Sequence, residues 1–226
     1  NSKEFKNILM PGVEHMRHTF LPEHKFVKGQ PDTGSELAND LETIAKKLGG
    51  ENIAACVVEP IAASTGTLIP PKNYLQKLRK ICDKHGILLI FDEVITGWGR
   101  TGSAFASQEF GITPDMITMA KATTNGVIPM GVVAVKEEMY DDVLDSSKNP
   151  EGTPELFHGY TYSGIPAAVA AGLAVQDIFD KEDIFNRAKE MSPYFQDGLH
   201  SLKDLKEVVS IRGYGMMGGI EMKMKD

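Results

Sequence analysis

The sequence has few of the features that mark several large classes of protein. Its 226 residues include only two cysteines, Cys56 and Cys82, which lack the spacing of a metal site. We expect no disulfide framework, and we interpret both residues as core thiols in a reducing compartment. No apolar run approaches the roughly eighteen residues that a membrane span needs, and no signal-peptide pattern opens the chain. A cytoplasmic protein is therefore expected.

Positive charge is also scarce. Lys and Arg total 24 against 31 Asp and Glu, which gives a formal net charge of -7. This balance offers no electrostatic basis for binding nucleic acid or an anionic membrane, so small molecules and other protein are the expected partners. With 42% hydrophobic and 24% charged residues, the composition is that of an ordinary globular protein that can bury a sizeable core.

Apolar, strand-like runs recur along the chain with helical patterns between them. The predicted strands are "NIAACVVEP" (52–60), "ILLIFDEV" (87–94), "DMITMAK" (115–121) and "MGVVAV" (130–135). A helix is predicted over 71–86, and 164–203 is predicted to be mostly helical. This alternation indicates βαβ units, so the predicted class is α/β, with a mainly parallel sheet flanked by helices.

Three of these apolar runs deliver an ionisable side chain at their carboxyl end: Glu59, Asp92 and Lys121. Ligands of open α/β sheets gather at the carboxyl edge of the strands, so this convergence predicts a site. Each residue also has an ordinary interpretation. Lys121 could be a solvated lysine and Asp92 a loop carboxylate, or the two could form a plain ion pair. The pattern alone therefore predicts a place and leaves the chemistry open.

Four segments carry a more specific resemblance. They are "LLIFDEVITGWGRTG", "PDMITMAKATTNG", "IPMGVVAV" and "FHGYTYSGIPAAVAAGLA". In order and spacing they resemble the class III aminotransferases, and among these the omega-amino acid:pyruvate (beta-alanine:pyruvate) aminotransferases. The resemblance covers essentially the whole chain. It implies the pyridoxal-phosphate-dependent transferase fold of the aspartate aminotransferase type, fold type I. It also implies transfer of an amino group from an omega-amino acid or amine to pyruvate or a similar keto acid.

The resemblance implies pyridoxal 5'-phosphate as cofactor and assigns its chemistry to two residues. Asp92 matches the carboxylate that keeps the cofactor ring nitrogen protonated, which suits the ring to its work as an electron sink. Lys121 matches the lysine that forms the Schiff base with the cofactor aldehyde, and its freed amine then acts as acid and base. Glu93, the neighbour of Asp92, resembles a structural group that supports the site.

Three further residues have implied roles at the cofactor. Val94 matches a residue that packs on a face of the cofactor ring, and Glu59 matches a glutamate near the substrate and the ring. Thr161 matches a threonine that binds the cofactor phosphate in the active site of the neighbouring subunit. That last role implies a homodimer with shared active sites. No metal is expected.

Members of this family are longer than the chain, which is therefore expected to be a central portion of the family length. Residues 1–185 are expected to belong to the cofactor-binding large domain and 186–226 to the start of the C-terminal small domain. An aminomutase of the same family, or a non-catalytic fragment or binding module, remains an alternative. Beta-alanine, gamma-aminobutyrate, taurine and simple amines all remain open as donors.

Overall fold

The computed structural model describes residues 8, 10–146 and 158–223. Within these ranges, helices and strands alternate through the first half of the chain, and three helices followed by two strands make up the later part. The strands are β1 (Ala55–Val58), β2 (Leu88–Asp92), β3 (Met116–Met119), β4 (Val132–Val135), β5 (Val208–Tyr214) and β6 (Met217–Met222). The helices are α1 (Asn39–Leu48), α2 (Tyr74–His85), α3 (Ala106–Glu109), α4 (Glu137–Ser146), α5 (Pro166–Lys181) and α6 (Ile184–His200).

The first four strands form one sheet in the order β1-β2-β3-β4. β1, β2 and β3 are parallel, and β4 is antiparallel to β3. The expectation of a mainly parallel sheet is therefore confirmed. The antiparallel direction of β4 was not anticipated from its apolar run, because such a run does not reveal strand direction.

Helix α2 forms where the apolar periodicity predicted it. Tyr74, Leu75, Leu78 and Cys82 are all buried along one face. The helix ends at Gly86, whose positive φ of 68° allows its N–H to bond the Cys82 carbonyl. The predicted end of the helix is thus confirmed.

The main core lies between this helix and one face of the sheet. Leu89 and Phe91 of β2 are fully buried there, together with Leu78 of α2. The opposite face is open among the described residues, since Val57 of β1 is 63% exposed and Val133 of β4 is 62% exposed. Because side chains alternate along a strand, Asp92 lies on this open face with Val57 and Val133.

Both cysteines are buried and free, which fits the prediction of core thiols. Cys56 lies in β1 and Cys82 in α2. A hydrogen bond with Cys56 and burial both raise the pKa of the Cys82 thiol. Among the described residues, none of the helices combines the length and apolar character that crossing a bilayer requires.

The C-terminal elements form a second layer. Helices α5 and α6 contact each other, and β5 pairs with β6 in a two-stranded antiparallel sheet. This hairpin is anchored to an early segment of the chain, because Ile211 N–H bonds the Lys25 carbonyl at 2.7 Å and Gly29 N–H bonds the Gly213 carbonyl at 3.2 Å. The domain boundary between 185 and 186 stays a prediction.

A buried ion network ties the start of β3 to its neighbours. Asp115 accepts hydrogen bonds from Arg79 Nη1 at 2.8 Å, Lys136 Nζ at 2.7 Å and the Leu89 N–H at 2.7 Å. Burial by itself would raise the pKa of Asp115. The Lys136 ammonium, the Leu89 N–H and the Arg79 guanidinium outweigh it and lower the pKa to about 2.

This network predicts an acid-sensitive contribution to stability. The pKa of Asp115 in the folded protein is below its unfolded value, so the stabilisation is present above about pH 4. It is lost as the pH falls toward 2, and it amounts to about 2 kcal/mol. Asp115→Asn should therefore lower the free energy of unfolding by at least about that amount at pH 7, and by much less at pH 2. Urea titrations at the two pH values measure both.

The matched control is Asp83→Asn, because Asp83 pairs with the same Arg79 but its side chain is 62% exposed. That pair should contribute less than about 1 kcal/mol. An Asp115→Asn protein as stable at pH 7 as the control would contradict the assignment.

Candidate active site

Three ionisable residues lie at or just beyond the carboxyl ends of the parallel strands. In the strand register, Val58 of β1 lies beside Phe91 of β2, and Asp92 lies beside Thr118 of β3. Glu59 follows β1 directly, and Lys121 lies two residues after the end of β3. The predicted convergence at this edge is therefore present, although Glu59 and Lys121 stand just outside their strands.

The carboxylate of Asp92 is held in one orientation. Its Oδ1 accepts a hydrogen bond from the Val94 N–H at 3.1 Å and another from the Thr118 hydroxyl at 3.2 Å. Its Oδ2 has no hydrogen-bond partner among the described residues, and the side chain is half-buried. One oxygen is thus fixed by the protein and the other is free to accept a donor.

Thr118 is a contact that the sequence reasoning missed. The clue in the sequence was that Thr118 lies in a predicted strand, three residues before Lys121, where it could be a neighbour of Asp92. Finding it requires the register of Asp92 against Thr118, which apolar patterns do not specify for two parallel strands.

Lys121 begins a single 3-10 turn, Lys121–Thr123, with a positive φ of 51°. Such a backbone conformation is uncommon for a residue with a side chain and costs about 1 to 3 kcal/mol. The residue is exposed, and within the described part of the chain its amine has no hydrogen bond or ion pair. The chain therefore presents an uncommitted amine on a strained turn.

A cavity of about 580 Å³ opens beside this amine. Asp92 and Thr161 are not among the residues that line it. The lining residues are Ala120, Lys121, Thr124, Gly126, Ile128, Pro129, Met130 and Gly131. A molecule attached to Lys121 would therefore have room on the side of the 124–131 loop.

Glu93 is fully buried directly beside Asp92. Its carboxylate accepts hydrogen bonds from the Ala106 N–H at 2.6 Å, the Ser107 N–H at 2.8 Å and the Thr96 hydroxyl at 3.1 Å. Both N–H groups belong to the first turn of α3, where a negative charge is favourable. The side chain of Glu93 thus closes the loop between β2 and α3, as expected of a structural group.

The glycine-rich loop that Glu93 closes requires one of its glycines. A Cβ on Gly97 would lie 2.8 Å from the Glu93 carbonyl oxygen and 3.3 Å from the ring of Phe105. Arg100 braces the same loop, because its Nη1 donates to the Ile95 carbonyl at 2.8 Å. The loop is therefore a packed structure with little room for substitution.

Val94 and Glu59 are both half-buried residues that lie just after the ends of their strands. Val94 is half-buried and lies in the turn after β2, beyond the strand that was predicted to include it. The Oε2 atom of Glu59 accepts a hydrogen bond from the Ala63 N–H at 3.2 Å, and the residue is half-buried. Their roles at a cofactor stay predictions.

Thr161 lies in an exposed turn. Its neighbours Tyr160 and Tyr162 are 79% and 80% exposed. The turn closes through the Ser163 N–H, which bonds the Tyr160 carbonyl at 2.9 Å. Within one chain, the structure does not bring Thr161 into the cavity beside Lys121. In the described ranges there is also no cluster of His, Cys, Asp and Glu that could hold a metal ion.

Two curated relatives show what the chain is similar to. It is 52% identical over 216 residues to an omega-aminotransferase of Caulobacter vibrioides. The aligned region covers 95% of this chain and 48% of that protein. It is 44% identical over 227 residues to a beta-alanine–pyruvate aminotransferase of Pseudomonas aeruginosa. The aligned region covers 100% of this chain and 50% of that protein. The chain thus spans about half the length of the curated relatives it matches.

A solved structure of an omega transaminase has a similar fold. A thermostable omega transaminase six-fold mutant from Pseudomonas jessenii matches with a TM-score of 0.85 at 30% sequence identity. The match covers 96% of this chain and 48% of that chain. The expected fold of the pyridoxal-phosphate transferases, fold type I, is thereby confirmed.

The family model for class-III aminotransferases matches residues 1–226. Class III aminotransferases depend on pyridoxal phosphate, so the match confirms both the expected enzyme class and the expected cofactor. The segments with "FDEVITGWGRTG" and "MAKATTNG" that carried the resemblance lie within this range. The chain belongs to the class III aminotransferase family.

Proposed function

We propose that the full-length protein transfers an amino group from an omega-amino acid or amine to pyruvate or a similar keto acid. The observation that carries the proposal is the pairing of Asp92 with Thr118 in neighbouring parallel strands. It puts a fixed carboxylate at the same sheet edge as the uncommitted amine of Lys121. The relatives named for omega-amino acids, beta-alanine and pyruvate support the donor and acceptor class.

The donor set fits two parts of pyridoxal phosphate. The ring nitrogen needs an anionic acceptor, and the free Oδ2 of Asp92 is one. The aldehyde needs an amine, and Lys121 offers one without a competing ion pair among the described residues. When bound, the cofactor supplies an electron sink for the carbon that exchanges the amino group.

Asp92 has an electrostatic task in this proposal. A carboxylate beside the ring nitrogen favours its protonated form, since the opposite charge stabilises the cation. Val94 N–H and the Thr118 hydroxyl keep Oδ1 occupied, so the carboxylate is held in one orientation and its Oδ2 would be left to accept a hydrogen bond from the ring nitrogen. The open face of the sheet, on which Asp92 lies, leaves space for the ring.

Lys121 has two tasks. Its amine would hold the cofactor covalently until a substrate amine displaces it. The same amine would also act as the acid and base that removes and returns a proton at the substrate carbon. Val94 is proposed to pack on a ring face, and Glu59 to lie near the substrate and the ring.

Thr161 is proposed to serve the cofactor phosphate of a neighbouring subunit in a homodimer. Its exposed turn supports this, because a side chain that faces away from its own chain is available to another. Helix α5 begins a few residues later with small residues, and Val169 and Leu173 on it are 38% and 60% exposed. A two-fold dimer would supply both sites reciprocally. A cytoplasmic location is part of the same proposal.

The reaction is tested with the full-length protein, added cofactor and pairs of amine donors and pyruvate. Wild-type protein should form alanine from pyruvate, and Lys121→Ala should lower the rate about a thousand-fold or more. Lys206→Ala, which changes an exposed lysine outside the site, is the matched control and should keep the wild-type rate. An amino group that migrates within one carbon skeleton without pyruvate would instead identify an aminomutase.

The role of Asp92 is tested by Asp92→Asn, which keeps the shape of the side chain but removes its charge. Turnover should fall by two or more powers of ten, about 2.7 kcal/mol or more, because the ring loses its anionic partner. Circular dichroism should show an intact fold, and Asp204→Asn, an exposed carboxylate elsewhere, should be neutral. Turnover of Asp92→Asn at the wild-type level would refute the role.

The shared site is tested by mixing two inactive proteins, Lys121→Ala and Thr161→Ala, at low cofactor concentration. If Thr161 serves the neighbour, each mixed dimer contains one intact site and should show about half the wild-type activity. If Thr161 serves its own chain, neither site of a mixed dimer is intact and no activity returns. Subunit exchange is verified by tagging the two proteins differently.

A further inference from the structure

The loop after β2 contains a tryptophan that reaches the turn of Lys121. Trp98 lies between Gly97 and Gly99 and has a positive φ of 63°. Its backbone N–H bonds the Ala104 carbonyl at 2.6 Å, which closes the loop around it. A bulky residue rarely adopts this conformation, so the surroundings must hold Trp98 there.

Aromatic rings hold the indole from two sides. The ring of Trp98 stacks on Phe179 of α5, with centroids 5.8 Å apart, and packs against Phe105 at 5.1 Å. Phe185 of α6 contacts Phe179 in turn, at 5.4 Å. The indole therefore has little freedom to rotate, and its N–H points in a fixed direction.

That N–H donates to the Thr123 hydroxyl at 3.0 Å. Thr123 is the last residue of the Lys121–Thr123 turn and is 3% exposed. Its hydroxyl donates onward to the Ala120 carbonyl at 3.1 Å, the same oxygen that accepts the Thr123 N–H. Among the described residues, this is the one side-chain hydrogen bond between the loop 94–105 and the segment 119–131.

Helix α5 presses on the same turn from behind. A Cβ on Gly172 would lie 3.5 Å from the Thr123 carbonyl oxygen and 3.7 Å from the Met130 sulfur. Thr123 is therefore held by the indole through its side chain and by the helix through its backbone. Lys121, two residues earlier, has a strained backbone and no hydrogen bond of its own to hold its side chain.

We infer that Trp98 is a positioning residue for Lys121. Its indole N–H, through the hydroxyl of Thr123, locks the strained turn in the form that presents the lysine amine to the cavity. Trp98 is not among the residues that line the cavity, and its hydrogen bond to this turn goes to Thr123. The inference rests on the proposed role of Lys121, and it adds a residue pair that sets how firmly the lysine holds the cofactor.

The test uses the full-length protein loaded with pyridoxal phosphate and measures two things besides turnover. One is the rate at which the cofactor is lost after dilution, and the other is the pH midpoint of the visible absorbance of the lysine-bound cofactor. Trp98→Phe keeps an aromatic ring but removes the N–H, and Thr123→Val removes the hydroxyl. Each should speed cofactor loss about ten-fold, the scale of one hydrogen bond, and should shift the pH midpoint.

Three comparisons separate positioning from general loosening of the fold. The double variant should lose the cofactor no faster than either single variant, because both changes remove the same hydrogen bond. Thr123→Ser, which keeps the hydroxyl, should restore the wild-type rate. Phe185→Leu, which disturbs the aromatic cluster but leaves the N–H in place, should lower the melting temperature without moving the pH midpoint.

Unchanged rates of cofactor loss in Trp98→Phe and Thr123→Val, or additive effects in the double variant, would overturn the inference while leaving the role of Lys121 intact. Borohydride reduction of the wild-type protein provides the separate check. If it fixes no cofactor on Lys121, the proposed function itself fails.

Discussion

The buried carboxylate of Glu93 is the interaction on which the rest of the site depends. A fully buried charge costs several kcal/mol unless donors meet it, and here the donors come from the far end of a glycine-rich loop, at Ala106 and Ser107. The loop must therefore close whenever Glu93 is buried. Closure fixes the end of β2, and with it the direction of Asp92, whose orienting Val94 N–H belongs to the same turn. It also brings Trp98 to its place beside Thr123.

The edge of the sheet that holds the candidate site could be predicted from the sequence because parallel strands share one edge. Three apolar runs that end in Glu59, Asp92 and Lys121 were sufficient to predict the edge, and the family resemblance supplied the chemistry. The helix α2 was equally readable, since its buried face follows the helical period and a glycine ends it.

The finer features depended on information that patterns do not contain. The bond from Thr118 to Asp92 requires the register of two parallel strands, and the bond from Trp98 to Thr123 requires the path of a loop. The connection from β3 to β4, residues 120–131, contains a 3-10 turn and no crossover α-helix, which suits an antiparallel pair. The apolar run of β4 is equally compatible with either direction. The roles of Val94, Glu59 and Thr161 at a cofactor depend on groups outside the described residues.

The site is also divided between rigid and exposed parts. Glu93 and Thr123 are buried and fully bonded, whereas Lys121 and the turn around Thr161 face outward. This division would suit the proposed site, which has to admit a cofactor and a substrate while its charged groups stay in fixed positions. The buried and hydrogen-bonded groups, Glu93 and Thr123, are thus the ones that support the segments of Asp92 and Lys121.

The positive φ of Lys121 implies a conflict between durability and activity. Glycine adopts this conformation without steric cost, so the backbone at position 121 would be more relaxed with glycine than with lysine. Selection for thermal stability alone would therefore favour replacing the residue that the proposed reaction requires. Substitutions intended to stabilise this protein would therefore have to be made at positions other than 121.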